Sequence, residues 1–126
     1  MTEIKAHTVL IVEDEEDLRE MMREALERKG YSVVTAQEGQ DALNKIEGID
    51  QLCLVLLDLL MPGMNGWDFF TKMRERPELA EVPVIVHSSA SNRAPAGVTR
   101  VLQKPIQFDR LISVVREYCG SPGLTS

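Results

Sequence analysis

Residues 52–58 read Leu-Cys-Leu-Val-Leu-Leu-Asp: six apolar side chains in a row, closed by a carboxylate. A run this short and unbroken, with no polar alternation, is the pattern of a strand buried on both faces. It is the most hydrophobic stretch of the chain. That places it at the centre of a sheet and leaves Asp58 at the carboxyl end of the central strand.

Working outward, the same alternation of strand and helix recurs. Towards the amino terminus, Thr8 to Val12 (TVLIV) is a second buried strand, stopped by the acidic cluster Glu13 to Asp17. Leu18, Met21, Met22, Ala25 and Leu26 then fall on one helix face, and Arg28, Lys29 and Gly30 supply a basic last turn and a glycine stop. Tyr31 to Ala36 is another strand, followed by a short helix with Ala42, Leu43 and Ile46 on one face and Gly48 at its end. Towards the carboxyl terminus, Pro62 to Gly66 is a loop by its turn residues, and Trp67, Phe69, Phe70 and Met73 mark a third amphipathic helix. Val82 to Val86 is a fourth strand, with Pro83 tolerable near its start. Val101 and Leu102 mark a weaker fifth strand at a sheet edge. Phe108, Leu111, Ile112, Val115 and Tyr118 share the face of a last helix. Met21, Met22, Phe69 and Phe70 are expected in the core, with Trp67 also packing.

The length, 126 residues, suits one domain and is too short for two ordinary ones. Residues 1–7 read as an N-terminal extension, 8–119 as the domain and 120–126 as a flexible tail. With 44% hydrophobic and 27% charged residues the chain can bury a core, and its net charge of −6 disfavours anionic partners such as nucleic acid or membranes. No apolar run reaches the ~20 residues a membrane span needs, and Met1 to Lys5 carry no signal-peptide pattern. The expected location is the cytoplasm. Cys53 and Cys119 lie outside any CxxC spacing, and Cys53 is read as a small buried hydrophobe rather than a redox or metal group.

Parallel strands joined by helices cross over right-handedly into a doubly wound α/β sheet, whose ligand site lies beyond the carboxyl ends of the strands. What sits there is informative. The first strand delivers Glu13 and Asp14, the third Asp58, the fourth Ser88 and Ser89, and the fifth Lys104-Pro105. Crowded carboxylates repel unless a cation intervenes, and hard oxygen ligands with room for water suit Mg²⁺. Asp58 is then a nucleophile toward a phosphoryl donor, with Mg²⁺, Lys104 and the Ser88 hydroxyl neutralising the equatorial oxygens.

The stretches Val9-Leu10-Ile11-Val12-Glu13-Asp14, Leu57 to Gly66 (LDLLMPGMNG), Pro83-Val84-Ile85-Val86-His87-Ser88, and Lys104-Pro105 together resemble the response regulator receiver domains of two-component signalling. The likeness runs from about Thr8 to about Cys119. It implies a flavodoxin-like five-stranded parallel sheet of order 2-1-3-4-5. It also implies Asp58 as phosphoacceptor, Asp14 as direct metal ligand, and Glu13 acting on the metal through water. The Leu60 carbonyl would complete the protein's share of the metal shell. Ser88 becomes the switch hydroxyl and Lys104 the phosphate-pairing base, preceding a cis peptide to Pro105.

The chain departs from that pattern in three places. Ser89 to Gln103 is short and contains Pro95 and Gly97, so the fourth helix is expected to be shortened or irregular. The second switch position, commonly aromatic in the family, is Val101. Leu60, two residues past Asp58, is apolar, which predicts slow hydrolysis of a phosphoaspartate.

The leading expectation is a phosphoryl-accepting switch, not an enzyme with an external product. Its partners would be a histidine kinase or phosphotransfer protein and an unknown output protein. The chain would be monomeric or weakly dimeric, and would bind neither nucleic acid directly nor membrane. The alternative is a pseudo-receiver, a protein-binding scaffold that never carries phosphate. A Mg²⁺-dependent aspartyl phosphohydrolase ranks last, because such enzymes want a second acid where Leu60 stands.

Overall fold

A computed structural model describes residues 7–61, 63–88 and 94–122, with Ser88 described in its backbone alone. Five parallel strands, β1 (Thr8–Val12), β2 (Ser32–Ala36), β3 (Leu52–Leu57), β4 (Val84–Ser88) and β5 (Arg100–Gln103), form one sheet of order β2-β1-β3-β4-β5. Helices α1 (Glu16–Glu27), α2 (Gly39–Ile46), α3 (Gly66–Arg74) and α4 (Phe108–Cys119) cover it, with a short 3₁₀ turn at Pro77–Leu79. The doubly wound, flavodoxin-like architecture and its strand order are those expected.

The strands sort their side chains by the period of two. Leu10, Val12, Val55, Leu57, Val84 and Val86 pack with Phe69, Phe70 and Met73 of α3 and Ala42, Leu43 and Ile46 of α2. Val9, Ile11, Leu54, Leu56, Ile85 and Leu102 pack with Met22 and Leu26 of α1 and with Leu111, Val114 and Val115 of α4. Both faces of the sheet are therefore buried, as its apolar strands require.

Local chemistry starts the helices. The Glu38 carboxylate accepts the N–H groups of Gln40 and Asp41 at the head of α2, and Asn65 Oδ1 accepts that of Asp68 at the head of α3. Gly66 opens α3 against the end of β3: a Cβ there would lie 2.6 Å from both the Asp58 carbonyl oxygen and Leu59 Cα. Only glycine lets α3 begin this close to the strand that carries Asp58.

Several expectations shift. The fourth strand runs Val84–Ser88, not Val82–Val86, because Val82 N–H closes the 3₁₀ turn onto Leu79 O and the Pro83 carbonyl first joins the ladder through Val55 N–H. The second strand starts at Ser32, and the fifth widens to Arg100–Gln103. Met21, expected in the core, is 50% exposed at the rim of α1. Val114 and Cys119 join the buried face of α4. Among the described residues between β4 and β5 there is no helix: Val98 N–H closes a turn onto Pro95 O, and Gly97 takes φ +96°. Ser89 lies outside the described residues. Of the expected tail, the Gly120 carbonyl accepts a hydrogen bond from the Tyr31 hydroxyl, and residues 123–126 lie outside the described set.

The largest correction concerns the cysteines. Cys53 near the start of β3 and Cys119 at the end of α4 are joined in a disulfide, with Cα atoms 5.5 Å apart. The reading of Cys53 as a simple buried hydrophobe is overturned. Both residues are buried, but they are buried against each other because α4 returns across β3.

Candidate functional site

The strand ends converge as the topology requires. Asp58 N–H donates to the Val12 carbonyl and Glu13 N–H to the Ala36 carbonyl, so hydrogen bonds continue past the strands and hold both acids at the sheet edge. Glu13, Asp58 and Lys104 each lie two residues beyond a member of the α1/α4-side core, namely Ile11, Leu56 and Leu102. Period-two alternation thus aims all three side chains to the same side.

Glu13 is fully buried and Asp58 is 3% exposed, whereas Asp14 is open to solvent. Each of these three acids offers a carboxylate oxygen within 4.8 Å of the others. Lys104 Nζ bridges two of them, 3.2 Å from Glu13 Oε1 and 3.3 Å from Asp58 Oδ2. Backbone donors hold the remaining oxygens. Leu60 N–H donates to Asp58 Oδ1 at 3.2 Å, and Glu15 N–H to Glu13 Oε2 at 3.0 Å. Arg19 Nη1 donates to the Glu13 carbonyl at 2.9 Å, tying α1 to the edge.

One ammonium among three carboxylates leaves an excess of negative charge, and burial makes two of those charges costlier still. Burial raises the Glu13 carboxyl to about 7; the Glu15 N–H opposes that rise, the charge of Asp58 adds to it, and Lys104 opposes it. Burial likewise raises Asp58, against the pull of Lys104 and of the Leu60 N–H. Burial pulls Lys104 down, but the facing charges of Asp58 and Glu13 outweigh it and leave the ammonium firmly protonated. A divalent cation would relieve the crowding. The donor set is all oxygen, with an exposed carboxylate beside the buried ones, and it fits a hard metal such as Mg²⁺.

The structure thus brings together Glu13, Asp14, Asp58 and Lys104. Leu60 sits at the rim with its side chain 50% exposed, and the Lys104-Pro105 peptide is cis. Ser88 ends β4 opposite Gln103, and its side chain lies outside the described residues. Val101, opposite Val86, is half-buried and packs against the α2/α3-side core, away from Lys104.

One residue escaped the sequence reading. His87 is fully buried, with Nδ1 3.5 Å from Glu13 Oε1. It stands two residues past Ile85, on the same side as the other site residues. That offset was the available signal. Burial and then the charge of Lys104 push its pKa down to about 3, so the imidazole is neutral.

Comparison with known proteins gives the context. Residues 9–116 match the family model described as the response regulator receiver domain. The uncharacterized transcriptional regulatory protein YrkP of Bacillus subtilis is 32% identical over 120 residues, which cover 90% of this chain and 51% of that protein. The chain spans about half the length of the curated relatives first matched. Among solved structures, a response regulator of Chloroflexus aurantiacus aligns with a TM-score of 0.82 at 29% identity, covering 90% of this chain and 98% of that one. TrrA of Thermotoga maritima, solved with Mg²⁺ and BeF, aligns with a TM-score of 0.77 at 28% identity, covering 91% and 99%.

Proposed function

The chain belongs to the response regulator receiver family, and from that premise we propose that it is a phosphoryl-accepting switch with Asp58 as the acceptor. The observation that carries the proposal is the environment of Asp58: a buried carboxylate at the end of the central strand, 3.3 Å from an ammonium and within 4.8 Å of two further acids.

Asp14 and Asp58 would hold Mg²⁺ directly, with the Leu60 carbonyl, and Glu13 would hold it through water. When bound, the ion supplies charge neutralisation to the transferring phosphoryl group. Asp58 attacks phosphorus, an O–P bond forms, and the donor's P–N bond to histidine breaks. Lys104 moves from the Asp58 carboxylate to a phosphoryl oxygen, and the Ser88 hydroxyl meets another. The single charge of the Asp58 carboxylate becomes that of an acyl phosphate, about −1.5 to −2 in total, and the added charge and oxygens reorder the strand ends around it. Leu60 at the rim shields the phosphoaspartate from water, so hydrolysis is slow. The role is that of a switch rather than of an enzyme with an external product.

The donor would be a histidine kinase or phosphotransfer protein. A groove of about 500 Å³ borders Lys104 and is walled by Leu18 and Met21 of α1 and by Ile106 and Phe108. The exposed Met21 gives an apolar helix of such a donor a footing beside the acceptor. Output passes to a protein partner, without direct contact to nucleic acid or membrane. Among the described residues no helix is long and apolar enough to cross a membrane.

Labelling with acetyl phosphate, with and without Mg²⁺, tests the proposal by intact mass, with Asp58→Asn as control. A Mg²⁺-dependent adduct absent from the variant supports it. No adduct, together with no binding of beryllofluoride, would sink it and leave a protein-binding scaffold as the alternative.

A further inference from the structure

Glu13 is an ionisable group with no exposure to water, so its orientation depends on the donors around it. Oε2 is satisfied by the Glu15 N–H. Oε1 faces two groups, Lys104 Nζ at 3.2 Å and His87 Nδ1 at 3.5 Å. Lys104 is shared with Asp58 and, on the reading above, leaves for a phosphoryl oxygen during transfer. His87 cannot leave. It is locked in β4, fully buried, with its backbone in register with Leu102 of β5.

Among the described residues the imidazole has no hydrogen-bond partner of ordinary geometry at either nitrogen. That is costly for a buried polar ring and calls for a reason at this position. A neutral imidazole carries one N–H. With Glu13 ionised, as a bound cation would keep it, a bare Nδ1 lone pair facing the carboxylate oxygen would repel it, so the electrostatics of the metal-loaded site select the tautomer with hydrogen on Nδ1.

We infer that His87 is a positioning residue for the metal site: its Nδ1–H dipole holds the Glu13 carboxylate toward the sheet edge, independently of where Lys104 points. The inference rests on the reading of this edge as a Mg²⁺ site. It concerns a side chain of β4 that touches neither the metal nor the phosphoryl group. At 3.5 Å the contact is an ion–dipole interaction rather than a full hydrogen bond. The effect is therefore expected at the low end of the ~10–100-fold typical when a group that orients a metal ligand is removed.

The experiment is calorimetric titration of Mg²⁺ into the whole chain and three variants. His87→Asn places an amide N–H near the Nδ1 position, His87→Gln places one near Nε2, and His87→Leu places none. We expect Mg²⁺ affinity to fall about 10-fold in His87→Leu and His87→Gln and to stay within about twofold of wild type in His87→Asn. Equal losses in all three would assign His87 to packing alone, and no loss in any would remove the role; either overturns the inference. Wild type that binds no Mg²⁺ would remove the metal-site reading and this inference with it. Should a variant not fold, nitrogen-15 NMR of the wild-type imidazole in saturating Mg²⁺, where Glu13 is ionised, decides independently. Hydrogen on Nδ1 is expected, and hydrogen on Nε2 overturns the inference.

Discussion

Reduction of the Cys53–Cys119 bond perturbs this protein at one point of known size. The bond joins residues 66 apart in sequence, from near the start of β3 to the last residue of α4. Closing a loop of that length removes denatured-state entropy worth about 4 kcal/mol, between ~3 for 15 residues and ~4.7 for 100. The folded state should change little on reduction. Both cysteines stay buried in the core between the sheet and α1 and α4, and two thiols pack there as small hydrophobes. Against a total stability of about 5–15 kcal/mol for a domain, the loss is large. At this chain length it corresponds to a fall in Tm on the order of 10–20 °C. The assay is urea unfolding followed by circular dichroism, with and without dithiothreitol, alongside the Cys53→Ala/Cys119→Ala double variant. The bond itself is checked by alkylation and intact mass. Wild type should lose about 4 kcal/mol on reduction, with a steeper denaturant dependence because the uncrosslinked denatured chain is more expanded. The double variant should ignore dithiothreitol and lie near the reduced protein. Equal midpoints for oxidised and reduced wild type would refute the loop argument. The result also bears on location, since disulfides are rare in reducing compartments and a cytoplasmic form would hold the pair as thiols.

Three other outcomes are expected. Gly66→Ala forces a Cβ to within 2.6 Å of backbone atoms at Asp58 and Leu59, so it should cost at least about 1–3 kcal/mol and lower acetyl phosphate labelling, whereas Gly48→Ala, whose nearest contact is 3.8 Å, should be tolerated; similar urea midpoints for the two would refute the close-approach argument. His87 is held near pKa 3 against 6.5 when unfolded, so between those values the unfolded chain binds the extra proton and stability falls as pH drops from 6.5 toward 3. Glu13, raised to about 7, contributes the opposite slope between 4.5 and 7 in Mg²⁺-free buffer, so the wild type is compared with His87→Leu, whose acid limb should be shallower; superimposable pH profiles would sink the assignment. Leu60→Asn replaces a half-exposed apolar side chain beside Asp58 with one able to hold water, and should shorten the phosphoryl lifetime several-fold, measured by loss of the mass adduct; an unchanged or longer lifetime counts against the shielding role.

Much of the molecule was legible before any coordinates. The buried strands announced themselves because a parallel strand covered on both faces has no reason to alternate, and LCLVLL and TVLIV do not. Glu13, Asp14, Asp58 and Lys104 followed because a residue just past a strand is placed by its own chain and by the rule that sites lie at carboxyl ends. The fourth strand slipped by two residues where local turn bonding at Leu79 and Val82 competed with apolar pattern. Met21 obeyed helical spacing yet sits at the rim, since spacing gives a face but not the edge of what that face covers.

What the sequence determined alone was therefore everything carried by neighbours along the chain: the order of elements, the sidedness of each strand, and the residues delivered to the sheet edge. The tertiary structure alone decided which distant residues meet. Cys53 and Cys119 are 66 residues apart and pair because α4 folds back over β3. His87 becomes a neighbour of Glu13 although β1 and β4 do not pair with each other, because β3 between them is one strand wide and ends in Asp58. Side-chain period and strand-end position are properties of a local backbone, whereas contact across a sheet or between sheet and helix depends on the packing of the whole chain.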